Sequence, residues 1–82
     1  MRIEFTNRFR RQYARLAAPG RRAVDHAIEK LSQGLGATKA LSSASKLFEL
    51  RVNSDLRVTW EYVDRVIRLR GVARHGPALR RP

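Results

Sequence analysis

The sequence predicts an α+β domain with the element order β-α-α-β-β-β, a helical hairpin packed on one face of a small antiparallel sheet. Three observations carry that prediction. Two stretches before Gly36 repeat apolar residues at spacings of three and four, the mark of an amphipathic helix. From Leu47 onward the period changes to two, the mark of a strand. Turn-forming residues separate the alternating stretches, and strands joined that closely run antiparallel.

The chain opens on RIEF, a short strand with Ile3 and Phe5 on one side and Arg2 and Glu4 on the other. Thr6 offers a side-chain oxygen as helix N-cap. From Phe5, the residues Phe9, Tyr13 and Leu16 recur on one helical face, while Arg8, Arg11 and Arg15 form a separate stripe. Ala18, Pro19 and Gly20 are expected to break the chain. Val24, Ala27, Ile28 and Leu31 make the apolar stripe of a second helix, which Gly34 and Gly36 end. Ala37 to Ser45 is small and polar and is expected to be a loop. Phe48, Leu50 and Val52 then alternate with Glu49 and Arg51. Asn53 to Asp55 is turn chemistry. Leu56, Val58, Trp60 and Tyr62 alternate with Arg57, Thr59 and Glu61, and Val63 to Arg65 makes a second turn. A last strand runs from Val66 to about Ala73, with Ile67 and Leu69 apolar and Arg68 and Arg70 polar. The tail GPALRRP is expected to be short and irregular. With no internal repeat and no break in composition, residues 1–82 form a single domain.

Composition narrows the partners. The net charge is +11, from 18 basic and 7 acidic residues. That excess favours a polyanion: nucleic acid, an anionic membrane or an acidic protein. Fifteen of the cations are arginine, which suits bidentate phosphate contacts and stacking on bases. Arginine drift in a GC-rich genome is the lesser alternative for the arginine-for-lysine bias, and it explains the net charge less well. There is no cysteine, so neither a disulfide framework nor a thiolate zinc site is available. No stretch approaches the roughly 20 apolar residues of a spanning helix, and the first residues lack the apolar run of a signal sequence. The expectation is a soluble, cytoplasmic protein with no membrane partner and no cofactor.

Both helical stripes need one face of the sheet as their cover. The opposite face is then expected to carry Glu49, Arg51, Arg57, Thr59, Glu61, Arg68 and Arg70. Positive charge dominates that face, and strands hold it rigidly, which suits a phosphodiester ligand.

The stretch KLFELRVNSDLRVTWEYVDRVIRLRGVARH resembles the C-terminal half of the RelE/ParE toxin superfamily. The shared order is an apolar-Arg strand, a short turn, an Arg-Val pair followed by an aromatic, a meander turn, and a last strand ending near glycine and histidine or arginine. The helices built on Phe5, Phe9, Tyr13 and Leu16 and on Val24, Ala27, Ile28 and Leu31 match the family's hairpin, so the resemblance spans nearly the whole chain. It implies a toxin of a type II toxin–antitoxin pair. It further implies a cognate acidic antitoxin as partner, and oligomers only through that complex. The RelE-like branch cleaves mRNA, often on the ribosome, without a metal, by attack of a 2′-hydroxyl on the adjacent phosphate. The ParE-like branch has the same fold, poisons DNA gyrase and lacks the catalytic groups. A basic nucleic-acid-binding module is a third alternative.

Residue by residue, Arg57 in DLRVTW matches the arginine that holds the scissile phosphate; otherwise it is a solvated strand arginine paired with Glu61. Arg51 in FELRV matches a second basic position. His75 in VARHG matches a catalytic position that is histidine in YafQ-like toxins and arginine in RelE itself. An unperturbed pKa near 6.5 suits it to proton transfer at neutral pH. A strict two-residue count puts His75 in phase with Ile67 and Leu69, on the core side. It reaches the polar face only through a bulge at Gly71 or an early strand end, and is otherwise a solvated strand-end residue. Glu49 shares a face with Arg51 and is a candidate general base, although glutamate also stands there in non-catalytic relatives. Arg68, Arg70 and Arg74 extend the substrate-binding set. RelE-like toxins often end in an aromatic that stacks on the base; here Arg80 or Arg81 would substitute. RelE itself carries lysines where this chain has Leu47 and Glu49. Trp60 and Tyr62 are in phase with Leu56 and Val58 and belong to the core. His26 is a surface residue.

Overall fold

A computed structural model describes residues 2–41 and 46–74. Five strands and two helices follow in the order β1 (Arg2–Phe5), α1 (Asn7–Ala14), α2 (Ala18–Ser32), β2 (Thr38–Ala40), β3 (Leu47–Arg51), β4 (Leu56–Val63) and β5 (Val66–Arg74). They form one sheet in the order β1-β5-β4-β3-β2. The fold is α+β, as the periodicity predicts.

Three details depart from expectation. The segment expected as a loop contains β2, whose Thr38, Lys39 and Ala40 pair antiparallel with Leu50, Glu49 and Phe48. All three β2 residues are exposed, so no alternation of apolar and polar residues marks them as a strand. The sheet is mixed rather than wholly antiparallel, because β1 runs parallel to β5, with Ile3 beside Ile67 and Phe5 beside Leu69. The two helices between β1 and the meander provide the long crossover that a parallel pair needs. Ala18, Pro19 and Gly20 open α2 instead of breaking the chain. Proline in the first helical turn loses nothing, since its missing N–H would have no intrahelical acceptor there.

Thr6 caps α1 and ties it to the sheet. Its Oγ1 accepts from the Phe9 N–H at 3.1 Å and lies 2.9 Å from the Leu69 carbonyl oxygen and 3.1 Å from that of Arg70, to which its hydroxyl donates. Phe9 from α1 and Val24, Ala27 and Leu31 from α2 pack against Leu50, Val58, Trp60, Ile67, Leu69 and Val72 of the sheet. Each of the larger aliphatic and phenyl side chains gains roughly 1.5–3 kcal/mol by leaving water. Trp60 is buried, stacked on Phe48 with ring centroids 4.4 Å apart, and Tyr62 is partly buried against the same core. Both therefore belong to the core, as their phase indicates, and His26 is exposed.

One irregularity re-aims the last strand. Thr59 stands opposite Gly71 and Trp60 opposite Leu69, so Arg70 is the extra residue of a β-bulge. Before the bulge Ile67 and Leu69 face the core; after it Val72 does, opposite Val58, while Ala73 stands opposite Arg57. Gly71 makes room for α1 here. A Cβ on it would lie 2.7 Å from Gln12 Oε1 and 3.5 Å from the Arg8 guanidinium. The same Gln12 Oε1 accepts from the Val72 N–H at 2.9 Å, a donor on the side of β5 where the β1 pairing has already ended at Phe5.

Candidate functional site

The register puts Arg51 opposite Arg57, Glu49 opposite Thr59, and Glu61 opposite Arg68 on a single face of the sheet. This is the polar face that the two-residue period predicts. Its residues divide into two clusters. Arg57 and Glu61 lie four residues apart on β4, roughly 13 Å at the rise of a strand.

At the β2–β3–β4 end, Arg57 is buried, with a relative exposure of 9 %. Its Nε lies 3.3 Å from Glu49 Oε1, and its Nη1 donates to the carbonyl oxygens of Asn53 at 2.6 Å and Leu56 at 3.1 Å. The Asn53 carbonyl is placed by the turn itself, since Asn53 Oδ1 accepts from the backbone N–H groups of Asp55 at 2.9 Å and Leu56 at 2.7 Å. The alternative pairing of Arg57 with Glu61 does not occur; its carboxylate partner is Glu49. Glu49 is itself only 3 % exposed, and its second contact is Lys39 Nζ at 4.0 Å. A cavity of about 290 Å³ opens beside these groups, lined by Ala37, Thr38, Lys39, Glu49, Arg51 and Arg57.

Arg51 and Arg57 are directly opposite on neighbouring strands, where like charges destabilise a sheet. Folding tolerates such local conflict most readily at functional sites. An anion held between them would turn the repulsion into attraction.

At the β1–β5 end the charges nearly balance, with Arg2, Arg68 and Arg70 facing Glu4 and Glu61. Arg68 Nε lies 3.7 Å from Glu4 Oε2 and its Nη1 3.4 Å from Glu61 Oε1; Arg70 Nη1 lies 3.3 Å from the same Glu61 oxygen. These side chains are each 19–41 % exposed, so water screens them. Arg74 stands opposite Leu56, in the other phase from Arg57. It is 80 % exposed and its Nε lies 3.9 Å from Asp55 Oδ2, so it is not gathered with Arg51 and Arg57. His75, Arg80 and Arg81 lie outside the described residues. The bulge that His75 would need to reach the polar face is present at Arg70–Gly71.

The periodicity left one residue out of the site. Lys39 stands opposite Glu49 and lines the cavity, yet it sits in a stretch without alternation, and only pairing of β2 with β3 brings it in. Among the described residues no three His, Asp or Glu side chains gather as a metal site, and no helix is long and apolar enough to cross a membrane.

No protein-family model matches the sequence, and no curated protein sequence matches it significantly. Solved structures do match in fold. YafQ from Escherichia coli superposes with a TM-score of 0.72 at 16 % identity, covering 95 % of this chain and 98 % of that one. The RelBE2 toxin–antitoxin complex from Mycobacterium tuberculosis gives 0.72 at 19 % identity over 90 % and 96 %. A YoeB/ParE toxin from Agrobacterium tumefaciens gives 0.76 at 15 % identity over 92 % and 99 %. The fold of this chain is the RelE/ParE toxin fold.

Proposed function

We propose that this domain with the RelE/ParE toxin fold is the toxin of a type II toxin–antitoxin pair, and that it cleaves mRNA. The observation that carries the nuclease half is the opposed pair Arg51 and Arg57 on the polar face, beside an open cavity. The toxin half rests on the fold shared with toxins, one of them in complex with its antitoxin. The charge of +11 suits both an acidic antitoxin and an RNA substrate, whether free or on the ribosome.

The reaction proposed is intramolecular in the substrate. The ribose 2′-oxygen attacks the adjacent phosphorus, the bond from phosphorus to the 5′-oxygen breaks, and the products are a 2′,3′-cyclic phosphate and a 5′-hydroxyl. One proton leaves the 2′-hydroxyl and one arrives at the 5′-oxygen. Because the nucleophile belongs to the RNA, the protein needs to supply positive charge and proton transfer. Arg57 and Arg51 supply the charge for the phosphorane. His75 is the group proposed for proton transfer. Glu49, sealed against Arg57, is assigned to aiming that guanidinium rather than to abstracting the proton. Arg68, Arg70 and Arg81 are assigned to longer-range attraction for the RNA; Arg74, in the other phase of β5, is not.

The test is single-turnover cleavage of a single-stranded RNA by the purified chain, with the product end identified. The expected product carries a 2′,3′-cyclic phosphate, and His75→Ala slows its formation by about 10²–10⁴-fold, the usual weight of general acid–base catalysis. A stable His75→Ala protein that cleaves at the parental rate would remove His75 from the mechanism. Induced expression that damages DNA and leaves mRNA intact would replace the nuclease by a gyrase-directed toxin.

A further inference from the structure

The short edge strand β2 has no part in the core. Its three residues are exposed, and its side-chain tie to the sheet is Thr38 Oγ1, which accepts from Trp60 Nε1 at 3.3 Å. The strand is held in place all the same: the Arg51 N–H donates to the Ala37 carbonyl at 2.8 Å, and Lys39 is registered against Glu49. The result is to set a primary amine at the mouth of the cavity that also contains Arg51 and Arg57.

We infer that β2 completes an RNA-phosphate subsite and that Lys39 is a substrate-binding residue of it. The inference rests on the nuclease reading proposed above and adds to it a residue and a place.

Charge separates this cavity from the rest of the polar face. Three cations, Lys39, Arg51 and Arg57, line it against the single carboxylate of Glu49. The excess of two positive charges favours the negative charge of a phosphodiester. At the β1–β5 end, by contrast, Arg2, Arg68 and Arg70 face the two carboxylates of Glu4 and Glu61, an excess of one. Exposure divides the labour within the cavity. Arg57 is fixed by Glu49 and two carbonyls, whereas the Lys39 side chain is 65 % exposed and its Nζ only 4.0 Å from Glu49. A compact ammonium on a flexible stem can leave that long contact for a phosphate oxygen without disturbing the buried pair. The volume of about 290 Å³ is at the small end of ligand sites, adequate for a phosphodiester and part of a sugar and too small to enclose a folded partner.

The experiment uses a short single-stranded RNA with 2′-O-methyl groups throughout, which binds but offers no nucleophile. Its affinity for the parent, Lys39→Gln, Lys39→Arg and Arg51→Ala is measured across a salt series. Lys39→Gln is expected to weaken binding about three- to tenfold at low salt and to flatten the log–log salt slope by about 0.7, the value for one phosphate contact on a single strand. Lys39→Arg is expected to keep the parental slope. If Lys39→Gln matches the parent in affinity and slope while Arg51→Ala loses both, the Lys39 subsite is wrong and the nuclease reading stands. If Lys39→Gln lowers the melting temperature yet binds RNA as the parent does, Lys39 is only a partner for Glu49, and the inference is overturned. A parent that does not bind the RNA at all overturns the nuclease reading and this subsite with it.

Discussion

The pairs Glu49–Arg57 and Glu61–Arg68 lie on the same face of the same sheet and use the same chemistry. Glu49–Arg57 spans β3 and β4; Glu61–Arg68 spans β4 and β5. The first is sealed, with side chains 3 % and 11 % exposed; the second is open, at 19 % and 41 %. In the open pair both partners keep part of their contact with water, and the attraction is shared with Glu4 and Arg70. In the sealed pair each charge depends on the other, and the guanidinium is further fixed by two backbone carbonyls. One polar face thus contains a rigid charged cluster beside a cavity and a softer, nearly balanced cluster four residues away along β4. A site that must meet a developing charge without rearranging belongs in the rigid half.

The largest effect expected from this contrast is on stability. Arg57→Ala takes from the buried Glu49 carboxylate its nearest cation, and breaking a buried pair from one side costs about 3–5 kcal/mol. Arg68→Ala leaves Glu4 and Glu61 partly in water and still beside Arg2 and Arg70, and is expected to cost less than about 1 kcal/mol. Urea denaturation of both variants checks the difference. Equal losses would mean that burial does not distinguish the two pairs. The same reasoning alters how Arg57 should be probed for catalysis. The double variant Arg57→Ala with Glu49→Gln removes both charges of the pair, and should recover part of the stability without recovering cleavage.

The period of two was enough to put Glu49, Arg51, Arg57, Thr59, Glu61 and Arg68 on one face, because side-chain alternation along a strand is geometric. It could not show which of them are buried. Burial of Glu49 and Arg57 arises from their mutual contact and from the Asn53 turn, neither of which is a property of spacing. Lys39 was missed for a related reason. β2 is three exposed residues long, and its identity as a strand comes from pairing with β3 rather than from its own composition. The parallel pairing of β1 with β5 joins residues more than sixty positions apart, beyond the reach of any local pattern. The bulge at Arg70 is marked in the sequence only by Gly71. A strict alternation count therefore carries the core phase of Leu69 straight past it, although the strand changes phase there.

A second, smaller effect is expected at that bulge, which lies between the two clusters along β5. Gly71→Ala places a methyl group 2.7 Å from Gln12 Oε1, closer than Cβ atoms approach, so Gln12 must move. The Val72 N–H then loses its acceptor, and an unsatisfied buried donor costs about 1–3 kcal/mol. Hydrogen exchange checks the cause, because protection at Val72 should fall more than at Val58 or Leu69. A Gly71→Ala protein as stable as the parent would show that Gln12 and Arg8 yield without loss, and that β5 does not need glycine at its phase change.

The smallest effect takes the contrast to the helical side of the molecule, where another polar tie lies in solvent. The Tyr13 hydroxyl donates to Asp25 Oδ1 at 2.7 Å, joining α1 to α2. That hydrogen bond, helped by partial desolvation and by the Asp25 charge, holds the phenol above its ordinary pKa of 10.0, while Arg21 pulls the other way. A group whose pKa is raised by folding stabilises the folded state below its unfolded pKa and loses that contribution as pH rises through the folded value. The tie should therefore act fully below about pH 10 and disappear above it. Lysines titrate in the same range, so the informative quantity is the stability of the parent minus that of Tyr13→Phe at each pH. The difference is expected to be below about 1 kcal/mol at neutral pH, as for an exposed hydrogen bond, and to shrink toward zero as the phenol ionises. A difference that stayed constant through the alkaline range would mean that the Tyr13 ring, stacked on Phe9, does the holding and the hydroxyl does not.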